Sequence, residues 1–281
     1  MAGRLLRAFV GGRTARLQAL VATEAAEEVR RAHALEPGAA CFAAEGVVAS
    51  LLLGSHIKGE ERIMLQFQGA IPRFSFVGEV DAEGHVRARL SPPSVPYSDA
   101  LEGIFMVIKS DATKELYRGL TEARGESLEQ ALIAYFASSQ QVDAVLRIGV
   151  RFDDDGAIAF AGGFAIERLP EATDLPWITP ADFAARYAHH AASDVEAIIS
   201  EVAFGQLDGE AIEPLEARDV TWQCRCSQGK VEGTLMALGV AELLAMADEG
   251  GAEVVCHFCN HPWRVSPERL HALAGAPVGE A

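Results

Sequence analysis

The sequence has no apolar run near the roughly 18–20 residues that a membrane-crossing helix needs. Its longest candidate, Val47 to Gly54, is far shorter. The first residues, MAGRLLRAFVGGRTARLQ, hold arginines but no continuous apolar segment and no cleavage site, so no secretory leader is expected. Together these absences set the expectation of a cytoplasmic chain with no membrane partner. Basic residues are also scarce. Against 40 Asp and Glu there are 24 Lys and Arg, for a formal charge of −16. A surface of that sign repels phosphate backbones and argues against nucleic acid as a partner. Cysteine is limited to five residues, four of them in the last fifth of the chain, and a reducing compartment seldom supports structural disulfides. No fixed-period repeat is present. What remains, at 49% hydrophobic and 23% charged, is enough to bury a real core.

Charge divides the 281 residues into three parts. Residues 1–169 carry 22 acidic and 18 basic side chains, 170–219 carry 11 and 2, and 220–281 carry 7 and 4. In the first part, helical patterns run from Thr23-Glu24 to His33 and from Cys41 to Leu53. Strand patterns cover 63–67, 73–80, 85–90, 104–109, 145–152 and 158–169. The segments DAEG (81–84) and DDDG (153–156) read as turns, and Ser127 with Gln130 reads as a capping box for a helix through Phe136. Strands and helices without a regular βαβ rhythm predict an α+β fold. The expected domains are a mixed sheet-and-helix core over 1–169, an acidic helical linker over 170–219, and a small four-cysteine zinc domain over 220–281.

The middle part repeats apolar residues at helical spacing from Asp182: Phe183, Tyr187, Ala191, Val195, Ile198, Ile199 and Val202. Gly205 to Asp219 reads as an acidic loop. Two readings stand side by side. The helix is a linker docked on the core through its apolar stripe, or its carboxylates leave it only marginally stable.

The chemistry is concentrated in Cys224-Arg225-Cys226 and Cys256-His257-Phe258-Cys259, with twenty-nine residues between Cys226 and Cys256. Two short-spaced cysteine pairs brought together by the intervening fold make a tetrahedral four-thiolate site, which favours one zinc ion. A closed sulfur shell leaves no position for activated water, so hydrolytic catalysis is not expected. The zinc-deaminase pattern is absent too, because Val255 and not proline precedes Cys256. His257 and His261 lie close by, but four sulfurs already complete the shell. Cys41, among apolar helix residues, reads as a buried core thiol. Core candidates for the zinc domain are Leu235, Leu238, Val240, Leu243, Leu244, Val254, Val255, Phe258 and Trp263, with Ser266-Pro267 opening a last helix.

C-x-C followed by x29 and C-x-x-C resembles the redox-regulated 33-kDa heat-shock holdase chaperones of bacteria. Further motifs stand in that family's order: Lys58 ending a helix before Gln66-x-Gln68-Gly69, Tyr117-x-Gly119, Tyr135-Phe136-x-x-Ser139-x-Gln141, and Ala161-Gly162-Gly163 leading to Leu169-Pro170. Gln140 and Glu167 stand where the family more often has an acidic residue and a glutamine. The resemblance implies a stress-response chaperone, ATP-independent and not an enzyme, that is folded and inactive when reduced with zinc bound. It implies that oxidation forms redox-active disulfides Cys224–Cys226 and Cys256–Cys259, releases zinc, and yields a homodimer that binds unfolding client proteins. The candidate client-binding or linker surface is Phe183, Tyr187, Val195, Ile198 and Val202. Rival readings are a zinc-ribbon nucleic-acid binder, a thiol-disulfide oxidoreductase using Cys256-x-x-Cys259, and a zinc-stapled structural protein without a switch.

Overall fold

The arginine-bearing N-terminus forms a β-hairpin: β1 (Arg4–Val10) and β2 (Ala15–Val21) pair antiparallel from Arg4 opposite Val21 to Val10 opposite Ala15. This computed structural model describes residues 3–10, 13, 15–169, 192–203, 205–207 and 210–275. The chain divides into two units, Met1–Gln223 and Cys224–Ala281.

In the first unit the hairpin nucleates a five-stranded antiparallel sheet of order β12-β1-β2-β9-β8. Its other members are β8 (Ala144–Phe152), β9 (Ile158–Arg168) and β12 (Glu213–Asp219). A six-stranded sheet of order β13-β5-β4-β3-β6-β7 lies in the same unit. It is built from β3 (Arg62–Gly69), β4 (Phe74–Asp81), β5 (His85–Ser91), β6 (Leu101–Ser110), β7 (Glu115–Glu126) and β13 (Thr221–Trp222). The predicted turns form as read. The Asp81 carboxylate accepts the N–H groups of Glu83 and His85, each at 3.1 Å, while Gly84 takes the left-handed φ of +91° that closes the hairpin.

Helix α1 (Thr23–Ala32) packs on α2 (Pro37–Leu53), and α2 contacts strands of both sheets. Proline at its first turn follows an extended Glu36, so the helix starts four residues before Cys41. It is apolar all round, as a helix buried on every side must be. Gly46 allows the close approach, since a Cβ there would stand 2.3 Å from the Phe76 ring. Contrary to the sequence reading, the 20 residues Pro37–His56 are long and apolar enough to cross a membrane, with mean hydropathy 1.5. Here 83% of that window is buried inside the protein, which is the situation of a core helix. The helix ends at Leu53 and a short 3-10 turn, so Lys58 lies beyond it. The capping box is formed at α3 (Leu128–Tyr135): Gln130 N–H donates to Ser127 Oγ at 3.3 Å and Ser127 N–H to Gln130 Oε1 at 3.0 Å.

The acidic middle part contains a docked helix, the first of the two readings, followed by strands in place of the expected loop. Helix α4 (Ala192–Ala203) packs on β2, β8 and β9, and its Ile198 and Val202 are 8% and 2% exposed beside Phe160, Phe164 and Ile166. Gly205–Asp219 is not a loop. It contains the short pair β10 (Gln206–Leu207) and β11 (Glu210–Ala211) and the edge strand β12. Strand β12 runs against β1, with Asp219 opposite Arg4 and Glu216 opposite Arg7. Arg7 Nη1 reaches Glu216 Oε2 at 2.8 Å, and the Arg13 fork engages Glu213. Glu213 and Glu216, among the described residues, thus take countercharges from the N-terminal hairpin, and Glu216 also from Arg218. Among the described residues, 192–203 and 213–223 belong to the first unit, so its boundary falls after Gln223 and not at 169 or 219.

The second unit holds α5 (Gln228–Met236), α6 (Val240–Asp248), β14 (Ala252–Val255), β15 (Pro262–Val265) and α7 (Pro267–Gly275). Its buried residues are Val231, Leu235, Leu243, Ala247, Val265, Leu270 and Leu273, with Met236, Met246, Val254 and Trp263 against them. Of the expected core, Leu235 and Leu243 are buried. Leu238, Val240, Leu244 and Val255 are exposed, the first two by half. Leu238 and Val240 flank the α5–α6 turn at Gly239, Leu244 lies off the buried Leu243–Ala247 face of α6, and Val255 ends β14.

Candidate metal centre

Two knuckles carry the four cysteines. Cys224 and Cys226 lie in the segment between β13 and α5, and Ser227 caps α5 by accepting the Lys230 N–H at 3.3 Å. Lys230 Nζ reaches back to the Arg225 carbonyl at 2.7 Å, which holds the first knuckle against the helix start. Cys256 to Cys259 form the turn between β14 and β15. It is closed by Asn260 N–H to Cys256 O at 2.8 Å and by Cys256 N–H to His261 O at 3.0 Å. The left-handed φ of +53° at Asn260 lets the chain reverse there.

All four Sγ atoms lie within 4.8 Å of one another, and all four residues are half-buried. Cys224 and Cys256 are 3.6 Å apart and Cys226 and Cys259 3.5 Å. These are not disulfide bonds but separations near the ~3.7 Å edge of a tetrahedron with Zn–S of about 2.3 Å. The donor set thus fits a closed zinc tetrathiolate. His257 and His261 are exposed and stand outside this group, and the ring of His261 packs edge-on against Trp263 with centroids 4.8 Å apart.

Three of the thiols are shifted by their surroundings. Burial pushes Cys256 up, but the N–H groups of Phe258 and Cys259 and the neighbouring sulfurs overcome it and bring the thiol down to about 7. Burial raises Cys226 and Cys259. Thiolate is the form that both binds metal and reacts with oxidants. Cys41 is a different case: burial, then Glu45 and Asp99, push it to about 12, the behaviour of an inert core thiol. The C-x-x-C segment sits in a strand-to-strand turn and not at a helix N-terminus, unlike the arrangement expected of an oxidoreductase.

Of the candidate client surface, Ile198 and Val202 are buried in the first unit. Val195 lies on α4, and Phe183 and Tyr187 fall outside the described residues. Trp263, a core candidate from the sequence, packs against the apolar cluster of the second unit. Sequence reasoning missed the cluster around Glu167, whose Oε1 accepts from Gln18 Nε2 at 2.6 Å and meets His56 Nε2 at 3.0 Å. Burial raises that carboxyl, but His56, Arg16 and Gln18 bring it below the usual carboxylate range. The one sequence hint was the unusual Glu at that position.

The family model of the Hsp33 protein matches residues 3–266. This chain belongs to the Hsp33 family. Among curated Hsp33 relatives, the 33 kDa chaperonin of Symbiobacterium thermophilum is 31% identical, covering 96% of each chain. That of Bacillus subtilis is 29% identical over 96% of this chain and 97% of its own. The crystal structure of the 33 kDa chaperonin of Thermotoga maritima matches with a TM-score of 0.84 at 23% identity, covering 98% of both chains, and shows the same fold. The chain is a chaperone of the Hsp33 family with an α+β fold and a C-terminal four-cysteine cluster that can hold a metal ion.

Proposed function

We propose that this Hsp33 chaperone is a redox-regulated, ATP-independent holdase of the cytoplasm. When reduced, Cys224, Cys226, Cys256 and Cys259 hold one zinc ion as thiolates. Bound there, zinc supplies no reaction; it ties two distant knuckles into one folded unit. Oxidation forms the disulfides Cys224–Cys226 and Cys256–Cys259. With peroxide as oxidant, two thiolates give up two electrons to form each S–S bond, and one peroxide O–O bond breaks and takes two protons from solvent to leave two waters.

The observation that carries this reading is the half-buried group of four thiols within 4.8 Å in a unit with few other buried side chains. Structural zinc contributes roughly 10–16 kcal/mol in small peptides, much of it folding free energy. The pairing matters physically. Disulfides within each knuckle leave no covalent link between the knuckles, so nothing replaces the metal as the bridge. Disulfides across them would staple the unit shut. Loss of the bridge unfolds the second unit, and the stripe of Phe183, Tyr187, Val195, Ile198 and Val202 in the acidic segment over 170–219 is the surface that meets clients in the active state. Apolar contact is tolerant of client sequence, and the −16 charge keeps complexes soluble and disfavours nucleic acid. The oxidised state is a homodimer, and the action is binding without turnover.

The test follows zinc release, thiol count and suppression of thermal aggregation in one peroxide titration at mild heat. One zinc per chain should leave as four thiols disappear, and aggregation suppression should rise in step. Suppression already complete in the reduced, zinc-loaded protein would overturn the switch.

A further inference from the structure

A thioether sulfur is a weak acceptor with two lone pairs, and oxidation turns it into a sulfoxide whose oxygen accepts strongly. Of the five methionines, Met236 and Met246 pack against the apolar cluster of the second unit, and Met1 lies outside the described residues. Met64 on β3 and Met106 on β6 are placed differently. Their strand neighbours Ile63, Leu65, Phe105 and Val107 point into the core, so the two methionines occupy the opposite face of the six-stranded sheet. Both are half-buried and belong to neither apolar cluster of the first unit. The register sets Met106 between Gln66 and Leu120, and Met64 beside Ile108. Leu120 and Ile104 on that face are 62% and 47% exposed, so a small oxidant in water reaches it. Each sulfur also faces an N–H donor: Gln66 Nε2 donates to Met64 Sδ at 3.0 Å, and Arg118 Nη1 to Met106 Sδ at 3.8 Å.

We infer that Met64 and Met106 form a reversible methionine-sulfoxide site for peroxide, with Gln66 directing the oxygen to one side of the Met64 sulfur. The donor engages one lone pair and leaves the other open. At the open lone pair an S–O bond forms as the peroxide O–O bond breaks. Sulfur gives up two electrons, and the departing hydroxide takes the proton of the transferred oxygen and leaves as water. Addition to a single lone pair yields one of the two sulfoxide epimers. The strip of Ile104, Met106, Ile108, Met64 and Leu120 then turns polar at its centre, while neither core cluster loses a member. The site is separate from the four cysteines and does not rest on the zinc reading.

The test treats the full chain with peroxide and maps its peptides by mass spectrometry. Met64 and Met106 should each gain one oxygen atom. Methionine sulfoxide reductases A and B, each specific for one epimer, are then applied separately to the Met64 peptide. One of them should remove nearly all of the sulfoxide there, whereas an undirected mixture loses roughly half to each. In Gln66→Val the Met64 sulfoxide should become such a mixture, while the loss of cysteine thiols keeps its wild-type course. The epimer ratio of the unaltered chain stands even where the variant fails to fold. Met64 and Met106 still unoxidised once the thiols are consumed, or an even mixture at Met64 in the wild-type chain, overturns the proposal. An epimer bias unchanged in folded Gln66→Val overturns it too. A chain that oxidises both methionines as expected but takes up no zinc overturns only the earlier reading.

Discussion

The two units hold themselves together by different means. Met1–Gln223 buries a large apolar cluster around α2, with Phe67, Phe76, Phe105, Leu51 and Leu52 nearly inaccessible, and a second cluster beneath α4. Cys224–Ala281 buries seven apolar residues among those described and brings four thiols together. Area-driven cohesion is present under any chemistry that leaves water as solvent, whereas cohesion through sulfur depends on sulfur staying reduced. The contrast places the four-thiol cluster where the apolar core is smallest.

The strongest way to break this comparison is to remove the metal. Stripping zinc with a chelator under reducing conditions, or replacing Cys256 by Ser, should abolish amide protection across 228–275. Hydrogen exchange should leave α2 unchanged. A second unit still protected without metal would erase the distinction. Next in size is Leu52→Ala. It should destabilise the first unit by about 2–5 kcal/mol in urea unfolding, with zinc content unchanged.

A smaller effect concerns Glu27. Hydrogen bonds from Arg30, against a cost from burial, bring its carboxyl down to about 2, and it also accepts the Ile158 N–H at 3.0 Å. The folded value lies below the unfolded one, so its contribution is complete above about pH 4.5 and is lost as pH falls through about 2. Discounted for solvent around the arginines, it is worth about 1–2 kcal/mol. Glu27→Gln should flatten the acid limb of the first unit's stability by that amount, seen in urea midpoints at pH 7 and pH 3. Smallest is Ser127→Ala. Losing the capping box at α3 should cost about 0.5–1 kcal/mol by the same measurement, again without touching zinc.

Some of this architecture could be read along the chain because its causes are local. The Ser127–Gln130 box, the Asp81 and Asp153 turns and the start of α7 at Pro267 depend on residues within four positions of one another. The C-x-C and C-x-x-C pairs are local as well, which is why the ligand set was legible before its geometry. Strands β7 and β12 were not. Both are edge strands with mostly exposed side chains, so neither shows an apolar alternation. Strand β1 was read for leader signals, while its reason to be a strand lies in partners at 15–21 and 213–219. Leu238, Val240, Leu244 and Val255 look like core by type, but their exposure depends on which way a turn and a hairpin face.

The sequence by itself determined the metal-binding chemistry and the α+β class, because soft sulfur ligands and the period of apolar residues are properties of residue type and spacing. Tertiary structure decided the rest. It set β12 opposite the hairpin carrying Arg4 and Arg7, and brought the four sulfurs within 4.8 Å of one another. Charge neutralisation and hydrogen bonding act across space between residues that the chain keeps far apart, so only the completed fold selects the partners.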